Sequence, residues 1–184
     1  MQRHWIGRSE GAEFGLPIAD GDGGVRTDVD PLAVYTTRPD TSFGMTFAVI
    51  SPEHPRVDEL TTEGQRTAVD AFRASISGRS DIERQSTEGS LDKRGVATGS
   101  RVVNPFTGQA IPIFLADYVL MTYGTGAIMA VPGQDQRDWE FAKAHGCEII
   151  RTVQPPEDFN GDAYVGEGLA INSAFLDGMN VAEA

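Results

Sequence analysis

Tyr123-Gly-Thr-Gly-Ala-Ile-Met-Ala-Val-Pro-Gly-Gln-Asp-Gln-Arg-Asp-Trp-Glu-Phe-Ala142 joins a glycine-punctuated turn, a short apolar run, a Pro-Gly break and a helical pattern. Residues 127–131 are continuously apolar, which suits a strand buried on both faces. Pro132 and Gly133 favour a tight turn, and a helix over 135–145 is closed by Gly146. Asp135 and Asp138 then fall in the first helical turn, beside the strand end. Capping is the ordinary use of acidic residues there, because they satisfy orphan amides and the helix dipole. A tight turn would also aim Asp138 at the strand end, where a carboxylate can receive an ammonium ion.

Upstream, residues 5–14 read as extended, and the Gly- and Asp-rich stretch 20–24 as a hairpin tip. Residues 32–37 form a β-branched and aromatic strand that Pro39 stops. Residues 47–50 predict another, broken by Pro52 and Pro55. A helix is expected over 62–77, with Thr62 as its cap, Val69, Phe72 and Ile76 on one face, and Gly78 as its stop. The polar residues 80–94 predict a surface excursion with a short helix. Residues 96–103 and 110–115 flank a hairpin turn at 104–108, and 149–153 predict a further strand. Asn180 and Glu183 have capping-box spacing. The sequence ends one turn later, so the chain reads as one domain, 1–184, cut from a longer protein, with 1–14 and 172–184 as connecting segments. Interspersed short strands, hairpins and helices predict an α+β, β-barrel-like domain with short peripheral helices.

A second constellation lies at a strand-to-turn boundary. Thr36-Thr37-Arg38-Pro39-Asp40-Thr41 supplies three hydroxyls, a guanidinium and a carboxylate. Threonine suits a pleated strand on its own account, and Arg38 can pair with Asp40 around Pro39. The hydroxyls can also position a water or an ester carbonyl. This spacing alone names no reaction.

The bulk composition narrows the classes. The chain has 184 residues, 40% hydrophobic and 23% charged, which is enough for one core. Its single cysteine, Cys147, excludes an internal disulfide, and His4, His54 and His145 fit no metal-ligand spacing. No apolar run approaches the roughly 18 residues needed to cross a bilayer, and the N-terminus lacks a signal-peptide core; a cytoplasmic location is expected. The net charge is -12, and residues 152–184 contain no Lys or Arg. That balance is poor for gripping a nucleic-acid backbone, whose binding comes mostly from neutralising phosphates. No GxSxG elbow is present, and a strand rather than a helix follows the Gly124–Gly126 turn, so neither a serine nucleophile nor a phosphate loop is indicated.

Taken together, Thr36–Thr41 and the run from Ile111 to Asp138 resemble the two signature motifs of the editing domain of class I aminoacyl-tRNA synthetases. The wording Ala130-Val-Pro-Gly-Gln-Asp-Gln-Arg-Asp-Trp-Glu-Phe-Ala142 is similar to the bacterial leucyl type. The resemblance extends over nearly the whole chain, from residues 2–11, which look like the approach to an editing insertion, to 172–180, which look like its exit. Gln134 stands where many relatives have His, and Ser42 where a large aliphatic residue is common.

This resemblance implies a β-rich editing domain that hydrolyses the aminoacyl ester of mischarged tRNA(Leu). The wrong amino acids would be isoleucine, norvaline, valine and methionine, with leucine excluded. It implies catalytic roles for Thr36, Thr37, Asp135 and Asp138. It further implies substrate contacts from Arg38, Thr41, Leu120, Tyr123, Met129 and Val131, with Thr41 as the gate against leucine and Asp138 as the ammonium receptor. No metal or other cofactor is expected in this domain; ATP and magnesium belong to the absent catalytic core. The expected partners are the 3′ terminal adenosine of tRNA(Leu) and the rest of the synthetase chain, with no membrane, in a monomer. Two other readings stay open: an editing domain of the valyl or isoleucyl type, and a non-catalytic module that binds adenosine or RNA ends.

Overall fold

Strand β3, Phe47–Ile50, is buried along its whole length, and the rest of the chain is arranged around it. The computed structural model describes residues 11–78, 94–180 and Glu183; the expected extended stretch 5–10 and most of the excursion at 80–94 lie outside them. Strands β1, Ala12–Leu16, and β2, Leu32–Thr36, form an antiparallel pair with Ala12 opposite Thr36 and Leu16 opposite Leu32. The remaining strands are β4, Gly95–Val103, β5, Ala110–Ala116, and β6, Ala127–Ala130. They join β3 in a second sheet of order β4-β5-β3-β6. β3 runs parallel to β5 and antiparallel to β6.

A strand flanked on both sides must feed two cores, and the period-two alternation does this. Ala48 and Ile50 join Leu16, Leu32, Val34, Ile113, Leu115 and Met129 on one face. Phe47 and Val49 join Phe114, Ala130 and Phe141 on the other. The second core is aromatic: Phe47 and Phe141 stack at 5.3 Å, with Phe114 edge-on to both.

The fold is α+β, and its sheets approach a barrel without closing one among the described residues. On one side Ala19 N–H donates to Arg101 O, and Val103 N–H donates to Pro17 O, so the chain after β1 pairs with β4. On the other side Thr125 Oγ1 donates to Ala33 O at 2.7 Å, but no ladder joins β2 to β6. A bulge interrupts β4 between Ala97 and Arg101. Gly99 sits there at φ +84°, and a side chain on it would run into the Thr62 hydroxyl.

The helices are α1, Val57–Leu60, α2, Arg66–Ile76, and α3, Gln136–His145. The pattern for α2 holds, since Val69 and Ile76 are buried and Phe72 packs on the core. Its start differs. A 3-10 turn over Glu63–Gln65 precedes it, and the Thr62 hydroxyl reaches across to Thr98 O at 3.3 Å instead of capping. Residues 149–153 do not form a ladder strand. Only Val153 bridges, to Ala170, because Ile150 and Arg151 are pressed against Gly133, where a Cβ would lie 2.2 Å from Ile150 O. The capping box is realised: Glu183 N–H donates to Asn180 Oδ1 at 3.1 Å, and Asn180 N–H to Glu183 Oε2 at 3.3 Å. No described helix is long and apolar enough to cross a membrane.

One buried amide fixes the turn that follows β2. Asn104, wholly buried, donates through Nδ2 to Ser42 O at 3.2 Å and to Met45 O at 3.3 Å, and accepts from Phe106 N–H at 2.9 Å. Asn104→Ala removes the side-chain partner of Met45 O and of the Phe106 N–H and leaves Ser42 O only its bond from the Met45 N–H, so it is expected to lower stability by about 1–3 kcal/mol. Denaturant unfolding checks this; a loss below about 0.5 kcal/mol, the range of neutral surface changes, would contradict it.

Candidate active site

Helix α3 is started by one aspartate and tied down by another. Asp135 has extended backbone dihedrals, φ −125° and ψ 125°, and its carboxylate accepts the Arg137 and Asp138 amides at 2.8 and 3.2 Å. It is the N-cap. Asp138 therefore has no capping duty. Its Oδ2 accepts the Val131 N–H at 2.9 Å, and its Oδ1 accepts the Tyr118 hydroxyl at 3.0 Å. The tight Pro132-Gly133 turn makes this possible, as Gln134 N–H and Asp135 N–H both close onto Val131 O.

Asp138 is 3% exposed. Burial, reinforced by the Asp135 charge, pushes its carboxyl up to about 7, against the opposing pull of the Val131 amide, the Tyr118 hydroxyl and Arg137. Burial and the adjacent Asp138 likewise push the Tyr118 phenol well above its ordinary value. Arg137 forms an exposed ion pair with Asp135 at 3.2 Å.

Beside this buried carboxyl lies a cavity of about 430 Å³ lined by Tyr118, Leu120, Thr122, Tyr123, Ile128 and Arg137. That size suits a small ligand. A larger hollow of about 550 Å³ sits at the far end of α3, against Thr46, Arg101, His145 and Cys147. It includes none of the expected site residues.

The threonine-rich segment folds largely onto itself. Thr36 Oγ1 accepts the Arg38 N–H at 3.0 Å. Arg38 clasps Asp40 through two bonds of 2.8 and 2.7 Å, the pairing expected around Pro39. Thr37 is exposed. Pro39–Gly44 is a 3-10 turn in which Thr41 and Ser42 are wholly buried. Thr41 Oγ1 donates to Arg38 O at 2.8 Å, and Ser42 Oγ lies 2.7 Å from Pro39 O and 3.5 Å from the Met129 sulfur.

Residues that flank the threonine motif meet the second motif at both ends of β6. Thr46 N–H donates to Ala130 O at 3.2 Å, and Gly44 lies against Thr152, Ile150 and Gln134. At the other end the Tyr35 and Tyr123 rings meet edge-on at 6.2 Å. The expected pocket residues are divided by β6. Leu120 and Tyr123 line the cavity, whereas Met129 and Val131 face the core on the opposite side with Leu32 and Val34. Gln134 is buried and accepts the Thr152 hydroxyl at 2.9 Å; its Nε2 has no partner among the described residues. Tyr118 and Asn104 are the site residues that sequence reasoning missed. Asn104 shows locally only as part of the 104–108 turn; the contacts that matter here, from its amide nitrogen and from the Tyr118 hydroxyl, reach partners 20 or more residues away.

The fold is thus an α+β domain with a cavity at the junction of a sheet and a helix entrance, one of whose wall residues, Tyr118, is bonded to a buried carboxyl. The family model for "Leucyl-tRNA synthetase, editing domain" matches residues 3–184, and the chain belongs to that family. It is 49% identical over its whole length to the leucine--tRNA ligase of Saccharopolyspora erythraea and 52% identical over 94% of its length to that of Nocardioides sp.. These matches span 20% and 19% of the two relatives, so the chain is about a fifth of their length. Among solved structures it is similar to the LeuRS of Agrobacterium radiobacter K84, crystallised in a ternary complex with tRNA and LeuAMS. The TM-score is 0.66 and the identity 34%, over 88% of this chain and 18% of that one.

The raised Asp138 carboxyl makes stability depend on pH. Below the ordinary value of 3.8, folded and unfolded chains are both protonated at this group; from there to about 7 only the folded chain keeps the proton. The Asp138 contribution to stability is therefore full at low pH and is lost as pH rises through about 7. Asp138→Asn, which keeps the shape and can accept the Val131 N–H through its oxygen and donate through its NH2 to the Tyr118 oxygen, is expected to remove this component and flatten the fall in Tm over that range. Thermal unfolding as a function of pH checks it; equal slopes in the two proteins would contradict it.

Proposed function

We propose that this domain hydrolyses the aminoacyl ester of mischarged tRNA(Leu), removing isoleucine, norvaline, valine or methionine and sparing leucine. The observation that carries the reading is Asp138, a buried carboxyl whose hydrogen-bonded neighbour Tyr118 lines a cavity of about 430 Å³. Membership of the editing-domain family supports the reaction class. The physical need is clear: aliphatic side chains differing by one methylene are separated by only about 1–3 kcal/mol, so a second site must remove errors.

In this reading the substrate's α-ammonium docks beside Asp138. An arriving positive charge favours the carboxylate, so docking drives off the proton that burial retains. Asp135 holds the first turn of α3 and thereby the position of Asp138. Thr36, Thr37 and Arg38 meet the ester and the terminal adenosine; Leu120 and Tyr123 line the pocket, and Met129 and Val131 bear on the substrate only from the core side of β6. Thr41 excludes leucine when the Pro39–Gly44 turn presents it to the bound side chain. An aminoacyl ester is already activated by its protonated amine, so holding it beside one ordered water provides orientation and electrostatic help without a covalent nucleophile. The tRNA body is gripped by other parts of a longer synthetase chain, because a net charge of -12 gives this domain little hold on phosphates. It acts as a monomer, in the cytoplasm.

The test is deacylation of isoleucyl-tRNA(Leu) beside leucyl-tRNA(Leu), by the domain and by the synthetase that contains it. Loss of isoleucine with leucine retained is expected, and Thr41→Ala is expected to raise cleavage of leucyl-tRNA(Leu) at least ~10-fold. If both proteins leave both esters intact, only a binding module remains. In the free enzyme, kcat/KM should fall as pH drops below about 7, where Asp138 takes up its proton. A flat profile through that pH would remove Asp138 from the reaction.

A further inference from the structure

We propose that Tyr118 is a positioning residue for Asp138, its hydroxyl holding the carboxylate charged and fixed where the substrate's ammonium docks. The inference rests on the editing reading and adds to it a group outside both motifs.

The geometry is specific. Asp138 is held at two points, by the Val131 N–H on Oδ2 and the Tyr118 O–H on Oδ1. The first bond comes from the strand end that α3 packs against. The second comes from the segment between β5 and β6, whose residues 118, 119, 120, 122 and 123 line the cavity. Tyr118 therefore connects the cavity wall to the buried carboxyl. Its ring is fixed independently of the hydroxyl, because it packs against Phe141 with centroids 5.8 Å apart. Among the described residues, the charged groups facing Asp138 are Asp135 and Arg137 from its own helix, and the ionisable group reaching it from another element is Tyr118. Asp135 opposes the carboxylate, whereas Tyr118 and Arg137 favour it. Arg137 is already paired with Asp135 at the surface, so the phenol is the partner that directly satisfies the buried charge. A hydrogen bond to an ionised group is stronger than one between neutral groups, and much of that strength is lost when the acceptor is protonated.

Tyr118→Phe removes the hydroxyl and keeps the ring, so the variant should fold. The acid limb of isoleucyl-tRNA(Leu) deacylation should move up by roughly one to two pH units, with the rate recovering on the alkaline side. The ionisation of Asp138, followed by its carboxyl carbon-13 signal across about pH 4 to 9, should move up by the same interval. Superimposable titrations of Asp138 in the two proteins would overturn the proposal, whether or not either protein cleaves an ester. A shifted Asp138 titration with unchanged deacylation at every pH would also overturn it, because the carboxylate would then be held for stability alone. If neither the wild-type domain nor the synthetase that contains it cleaves an ester, while the Asp138 signal still responds to Tyr118→Phe, the editing reading is lost. The Tyr118–Asp138 coupling then stands only as a structural one.

Discussion

The bond from the Val131 amide to the Asp138 carboxyl is the constraint on which the site depends. It closes the chain between the end of β6 and the first turn of α3, seven residues apart, and places an ionisable group where water is excluded. Without it, the Pro132-Gly133 turn would only join a strand to a helix. Asp135 makes the arrangement possible by taking over the capping duty. Two aspartates three residues apart thus do different work: one satisfies the helix, and the other is left to face the strand and the cavity wall.

The same division of labour runs through the sheet. β3 is buried on both faces because its alternating residues serve two cores, and this fixes the register of β6 beside it. Register in turn decides which residues meet the cavity. Ile128 lines it, whereas Met129 and Val131 point into the opposite core. The Pro39–Gly44 turn is anchored by Asn104 from the β4–β5 hairpin, so the threonine motif depends on a side chain more than 60 residues away.

Much of this was legible in the sequence, because the signals were local. The span of β3, the glycine stop of α3 and the capping-box spacing of Asn180 and Glu183 each rest on neighbours within a few residues. The Arg38–Asp40 pair and the aim of Asp138 at the strand end were readable for the same reason. The failures were non-local. Thr62 has the right chemistry for a cap, but the bulge at Gly99 brings Thr98 O within its reach. Residues 149–153 have strand propensity, but they pack on Gly133 and share only scattered bonds with 169–171. Tyr118 could not be found from spacing, since its hydroxyl matters only once β5 and α3 lie side by side.

The central claim is that Asp138 receives the substrate's ammonium ion, and calorimetry can address it directly. The ligands are an amide-linked isoleucyl-adenosine and its counterpart lacking the amine, titrated into the wild-type chain and Asp138→Asn at neutral pH. The account predicts that the cationic ligand binds the wild-type chain roughly 10- to 100-fold more tightly, as a charge-assisted hydrogen bond implies, with release of a proton. In Asp138→Asn the two ligands should bind alike. Equal binding of both ligands by the wild-type chain would contradict it, and Asp138 would then be a staple of the fold alone.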